Sequence, residues 1–174
     1  MKIYKNFLDK EKFKQIKDIL TYTEFPWYLD RVLYEKTTSY NHQLTHTLYA
    51  NDKANSAFFD ISNLFKEKIN WFSLLRIKAN LLQRTDKIIE HGMHIDYEVK
   101  PKNANITTGI FYVNTNNGYT KFKNNKIIKS EENKYIEFDC SEPHTGTTCT
   151  DSDYRIVINF NYIKWSEEYY LDRH

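Results

Sequence analysis

The sequence predicts a mainly β fold, a barrel or sandwich of short strands that carries helices at its N-terminal end. Two observations point that way. Apolar residues recur at helical spacing only before Trp71, and from Trp71 onward short β-branched and aromatic runs alternate with Asn, Gly, Asp and Ser. With 174 residues, the chain is long enough to bury a core as one domain without disulfide or metal staples.

Taken in order, residues 9 to 20 place Phe13, Ile16, Ile19 and Leu20 on one helical face behind Asp9, a suitable N-cap. The aromatic, Pro-containing segment EFPWYLDRVLYEK reads as irregular cover over a core. A second helix fits residues 55 to 68, where Phe58, Ile61, Leu64 and Phe65 recur at steps of three and four. Residues 1–70 are thus expected as helical cover and residues 71–165 as the β core. The strand candidates are SLLRIKANLL, HIDYEV, TTGIFYVNT, YTKFK, KIIKS, KYIEFD and RIVINFNYIKW, and the Asn-Gly of NTNNGYT predicts a hairpin turn.

Composition narrows the function. Lys and Arg number 25 against 23 Asp and Glu, which lacks the concentrated basic footprint of a nucleic-acid binder. The N-terminus alternates charged and apolar residues too finely for a signal peptide, and no apolar run is long enough to span a membrane. A soluble, cytoplasmic protein is expected. Cys140 and Cys149 are too few for a secreted disulfide framework, so both are expected as thiols.

The stretch EHGMHIDYEV carries the chemistry. His94 and Asp96 lie two apart in a predicted strand, and the strand period of two turns both side chains to one face, where they can share an ion. A third ligand comes from His91 or His144. His91 would require a sharp turn before His94, so His144, just ahead of the last strand, is preferred, which leaves His91 at the rim or behind the ligands. Two imidazoles and one carboxylate on one side of an ion leave positions open, the facial arrangement of non-haem Fe(II) oxygenases. Arg155, eleven residues after His144, opens the last apolar strand, and its planar guanidinium matches a carboxylate bidentately.

In that order and spacing these residues resemble the Fe(II)- and 2-oxoglutarate-dependent dioxygenases, in particular the prolyl-4-hydroxylase-like branch with its small bacterial and bacteriophage members. The resemblance runs from IYKNFLDKEKF to RIVINFNY. It implies a double-stranded β-helix, a jelly-roll or cupin-like barrel. His94, Asp96 and His144 match the family's iron ligands, and Arg155 matches the residue that anchors 2-oxoglutarate. Tyr112 in IFYVN resembles a tyrosine that reaches the co-substrate carboxylate, or lines the barrel as an ordinary aromatic. Asn80 in RIKANL stands where relatives place a polar residue near the keto end, or is a hydrogen-bonded strand-edge residue. Thr120 in GYTKF resembles a pocket-lining threonine, although Tyr119 replaces the family's second glycine. Val157 stands where relatives often have Ser or Thr.

The implied cofactors are Fe(II), 2-oxoglutarate as co-substrate and O2, with ascorbate as a candidate reductant. The implied reaction hydroxylates an unactivated carbon and releases succinate and CO2. A prolyl or other residue of a peptide or protein is the first substrate class, and a free amino acid or other small molecule the second. The segment FPWYLDRVLYEKTTSYNHQLTH, with His42 and His46, forms a substrate flap or, through Phe25, Trp27 and Tyr28, roofs the core. Rival readings are a structural zinc site on Cys140, His144 and Cys149, and a non-enzymatic binding module on the same fold. The latter would normally lack a ligand or the anchor, and here all four positions are filled.

Overall fold

The computed structural model describes residues 1–31, 42–96 and 105–164. Two sheets face one another. The larger sheet has strand order β1-β9-β6-β11-β5-β3-β2 with β4 appended to β3, and the smaller has order β10-β7-β8. Their strands are β1 (Lys2–Tyr4), β2 (Tyr28–Arg31), β3 (His42–Ala50), β4 (Lys53–Ala54), β5 (Trp71–Gln83), β6 (Ile106–Tyr112), β7 (Tyr119–Phe122), β8 (Ile127–Lys129), β9 (Lys134–Asp139), β10 (His144–Gly146) and β11 (Tyr154–Lys164). All pairings are antiparallel. Among the described residues no helix is long and apolar enough to cross a membrane.

Alternation along the large sheet divides the interior in two. On one face Ile77, Ala79, Leu81, Phe111, Ile156, Ile158 and Phe160 pack beneath the helices. On the other, Ile110, Tyr112, Ile136 and Val157 meet Phe122 and Ile128 of the small sheet. Helix α1 (Lys10–Thr21) follows the expected pattern: the Asp9 side chain accepts from Lys12 N at 2.9 Å, and Ile16 and Leu20 are buried. Asn133 ties this end to the barrel. Held at φ 56°, it accepts from Leu8 N at 2.9 Å and donates to Leu8 O at 2.8 Å.

Several expectations are corrected. Residues 57–64 form a 3-10 helix, capped by the Ser56 hydroxyl on Phe58 N. Phe58, Ile61 and Leu64 repeat at three, the period of a 3-10 helix, and a serine bonding two residues ahead competes with α geometry. The N-terminal third is not helical cover alone, because β1 to β4 all lie within it and β3 pairs with the central strand β5. The segment read as irregular contains β2, while its residues 32–36 lie outside the described residues.

The NTNNG stretch is not a hairpin. It carries the chain from β6 in the large sheet to β7 in the small one, and Gly118 has no positive φ. Glycine is needed there for space instead, since a Cβ would lie 2.7 Å from Arg155 Cδ and 2.8 Å from Thr148 O. A two-residue hairpin joins β3 to β4 instead, where Asn51 and Asp52 take φ of 54° and 56°.

Candidate metal centre

Strands β5 and β11 build the floor of a cleft between the sheets. Their register sets Leu82 opposite Arg155, Asn80 opposite Val157, Lys78 opposite Asn159 and Arg76 opposite Asn161. The inward face of two otherwise apolar strands is therefore strongly polar. The small sheet and the segment before Asp96 form the other wall, contributing His91, His94, Thr120, His144 and Gly146.

His94 does not belong to a regular strand. It forms an isolated antiparallel bridge with His144, each donating its backbone N–H to the other's carbonyl at 3.0 Å, and residues 97–99 lie outside the described residues. The bridge brings the rings to 4.7 Å between centroids. Ligand atoms of His94, Asp96 and His144 all lie within 4.8 Å of one another, a grouping that fits one ion. Each imidazole's Nδ1 meets a backbone carbonyl, Gly92 O at 3.2 Å for His94 and Glu142 O at 3.0 Å for His144. Those contacts select the tautomer in which Nε2 carries the lone pair a metal requires.

Asp96 is set by three residues for which the sequence offered no motif. Arg76 donates to Oδ1 at 3.2 Å, while Thr108 and Asn161 donate to Oδ2 at 2.9 and 3.0 Å. Arg76, Asn161 and Thr108 form one cross-strand row over β5, β11 and β6. The visible signal was their period-two polarity inside apolar strands. Burial alone would push the Asp96 carboxyl up, but Arg76, His144, Asn161 and Thr108 outweigh it and hold it below the usual carboxylate range. His94 is lowered, first by burial and then by His144.

At the inner end lies Arg155, 2% exposed. Its Nε donates to Ser130 at 2.8 Å and its Nη2 to Thr120 at 3.3 Å, and among the described residues it has no carboxylate partner. A buried guanidinium held by two hydroxyls and the face of the Tyr112 ring suits an anion from outside the chain. Burial lowers its pKa, yet a guanidinium stays protonated. Thr120 Oγ1 also accepts from Tyr112 at 2.8 Å, which leaves its own hydrogen for a ligand. Tyr112 itself stands behind Thr120, fully buried, and does not line the cleft. Tyr119 opens β7 and pairs with Lys129 of β8 in regular register. Asn80 lines the cleft, with Nδ2 3.5 Å from Lys78 O.

His46 is elsewhere. Its ring bridges Pro26 O at 2.5 Å and Ser56 Oγ at 2.6 Å against Phe25, so it joins elements of the cover. Of the segment read as a flap, Gln43 reaches the cleft, and residues 32–41 lie outside the described residues. Among the described residues the His94, Asp96 and His144 group is the one that gathers three ligand atoms, and neither buried cysteine joins it. That removes the Cys140, His144 and Cys149 zinc set.

No protein-family model matches the sequence, and no curated protein matches it. Solved structures do. A viral collagen prolyl hydroxylase from Paramecium bursaria Chlorella virus-1, determined with 2-oxoglutarate, aligns over 95% of this chain and 96% of its own at TM-score 0.55 and 12% identity. The chain has the fold of the 2-oxoglutarate and Fe(II) oxygenases. A Trichoplax adhaerens prolyl hydroxylase bound to a hypoxia-inducible factor peptide aligns at TM-score 0.60 and 13% identity, covering 94% and 83% of the two chains. A Pseudomonas putida prolyl-4-hydroxylase aligns at 0.59 and 8%, covering 94% and 92%. The resemblance read from the sequence thus holds at the level of the fold.

Proposed function

We propose that this chain is an Fe(II)- and 2-oxoglutarate-dependent dioxygenase that hydroxylates an unactivated carbon, with a prolyl or other residue of a peptide as its substrate. One observation carries the reading. A His-Asp-His ligand set lies in the same cleft as a buried arginine that has no carboxylate of its own among the described residues.

The donor set fits the group: two imidazole nitrogens and one carboxylate suit Fe(II), and the guanidinium suits the far carboxylate of a 2-oxo diacid. When bound, Fe(II), 2-oxoglutarate and O2 supply an oxidative decarboxylation to succinate and CO2 coupled to hydroxylation. The protein's part is placement. His94, Asp96 and His144 would hold the ion, and Arg76, Asn161 and Thr108 keep the Asp96 carboxylate ionised and aimed. Arg155 and Thr120 would anchor the co-substrate's far end, while Leu82, Ile110 and Val157 exclude water along the cleft. Asn80 supplies a side-chain amide on the same floor. Ascorbate would act as an external reductant.

The peptide-bound Trichoplax structure favours a peptide substrate. A second reading, the same chemistry on a free amino acid or other small polar molecule, is favoured by Gln43, Arg76 and Lys78 in the cleft lining. Incubation with Fe(II), 2-oxoglutarate and air against panels of proline-containing peptides and free amino acids separates the two. Slow succinate release alone, rising with a true substrate that gains one oxygen per succinate, is expected. Metal-loaded protein that yields no succinate with either panel would favour a binding module.

A further inference from the structure

Strand periodicity pairs His94 with Asp96 and leaves His91 out of the ligand set, at the rim or behind the ligands. The structure places it inside. Bridges join Glu90 to Thr147 and His94 to His144, so four residue steps on one side are matched by three on the other. That extra residue is a β-bulge, and it turns both His91 and His94 into the cleft. His91 is 8% exposed, and among the described residues neither ring nitrogen has a hydrogen-bond partner. Buried polar groups are almost always paired, and exceptions concentrate where a ligand completes the set.

Its backbone is pinned. His91 N donates to Gly146 O at 3.1 Å, and the Thr145 hydroxyl donates to His91 O. Gly146 in turn has no side chain between this segment and Arg155, whose Nη1 lies 3.5 Å from where a Cβ would stand. His91 lies outside the group of three ligand atoms that fits an ion.

We propose that His91 is a co-substrate-anchoring residue, donating a ring N–H to the far carboxylate of the 2-oxo acid beside Arg155. The inference rests on the reading of the cleft as a 2-oxo acid site. Burial and the Arg155 charge hold the imidazole neutral, with a pKa lowered to about 4, so it offers one donor without adding charge.

The test is anaerobic titration of the Fe(II)-loaded protein with 2-oxoglutarate and with 2-oxopentanoate, which carries a methyl group in place of the far carboxylate. The visible absorption of the keto chelate reads binding without turnover. For His91→Leu the 2-oxoglutarate Kd rises about 10- to 100-fold, as expected for a hydrogen bond to a charged group, while the 2-oxopentanoate Kd stays within about twofold. His91→Gln, which keeps a donor, recovers part of the loss. Thermal melting of His91→Leu no lower than wild type shows that the pocket survives, since the leucine removes an unpaired buried group. Equal weakening of both acids, or weakening of neither, overturns the role of His91. No chelate band with either acid in the wild-type protein would overturn the parent reading instead.

Discussion

Two buried carboxylates in this barrel are built from similar parts and end differently. Glu137 on β9 accepts from Lys164 Nζ at 2.6 Å, Tyr4 Oη at 3.1 Å and Tyr162 Oη at 3.1 Å, and Tyr162 is hydrogen-bonded to Tyr135 at 3.1 Å. Asp96 has one cation and two neutral donors, while Glu137 has Lys2 Nζ at 3.9 Å in addition. In both, burial raises the carboxyl and the donors outweigh it. The cluster at Glu137 closes on itself, clamping β1 and β11 to β9. Around Asp96 two imidazoles converge as well, and the same cleft carries a histidine and an arginine that, among the described residues, lack a hydrogen-bond partner and a carboxylate respectively. A satisfied cluster holds the fold together, whereas the incomplete one is shaped for what it binds.

Substitutions should separate the two. The largest effect is expected at Arg155: Arg155→Leu should weaken 2-oxoglutarate binding about 100- to 1000-fold, the usual cost of removing one partner from a buried charged pair, measured by the same chelate titration. Equal affinity in the variant would break the anchor assignment.

Acid should reach the cleft before it reaches Glu137. The His91 pKa is lowered from 6.5 to about 4 by burial, Arg155 and His94, so the unfolded chain binds more protons in that window. Stability of the metal-free protein should be full above pH 6.5 and fall by on the order of 3 kcal/mol towards pH 4, read from urea midpoints, and His91→Leu should flatten that slope. Asp96 and Glu137, both lowered, contribute stability above the ordinary carboxylate range that is lost only as pH falls below it.

Arg76→Gln should lower Fe(II) affinity about 10- to 100-fold by releasing Asp96, and should also lower the melting temperature of the metal-free protein, because the buried Asp96 carboxylate loses its cation. Glu137→Gln should act on the fold alone. It should cost about 1–2 kcal/mol of unfolding free energy, since Lys164 is partly solvated, and leave Fe(II) and 2-oxoglutarate affinity unchanged.

Much of this was legible in the residues. Helix α1 announced itself through Asp9 and a face running from Phe13 to Leu20, and the late strands through their alternation. Order along the chain picked out His94, Asp96, His144 and Arg155. What stayed hidden depends on pairing between distant segments. A bulge opposite β10 cannot be seen in EHGMH, so the entry of His91 into the cleft stayed hidden. Asn-Gly looks the same whether the chain turns back on itself or crosses to another sheet. The row of Arg76, Asn161 and Thr108 exists only in the register of three strands, although inward polar residues at period two, Arg76, Lys78 and Asn80 on β5 and Asn159 and Asn161 on β11, were open to notice.

The central claim is that His94, Asp96 and His144 form one metal centre. Equilibrium Fe(II) binding under anaerobic conditions, counted per chain, tests it directly. One ion per wild-type chain, lost in Asp96→Ala and in His144→Ala while circular dichroism shows the barrel intact, is the predicted result. Undiminished Fe(II) binding by a folded Asp96→Ala protein would contradict it.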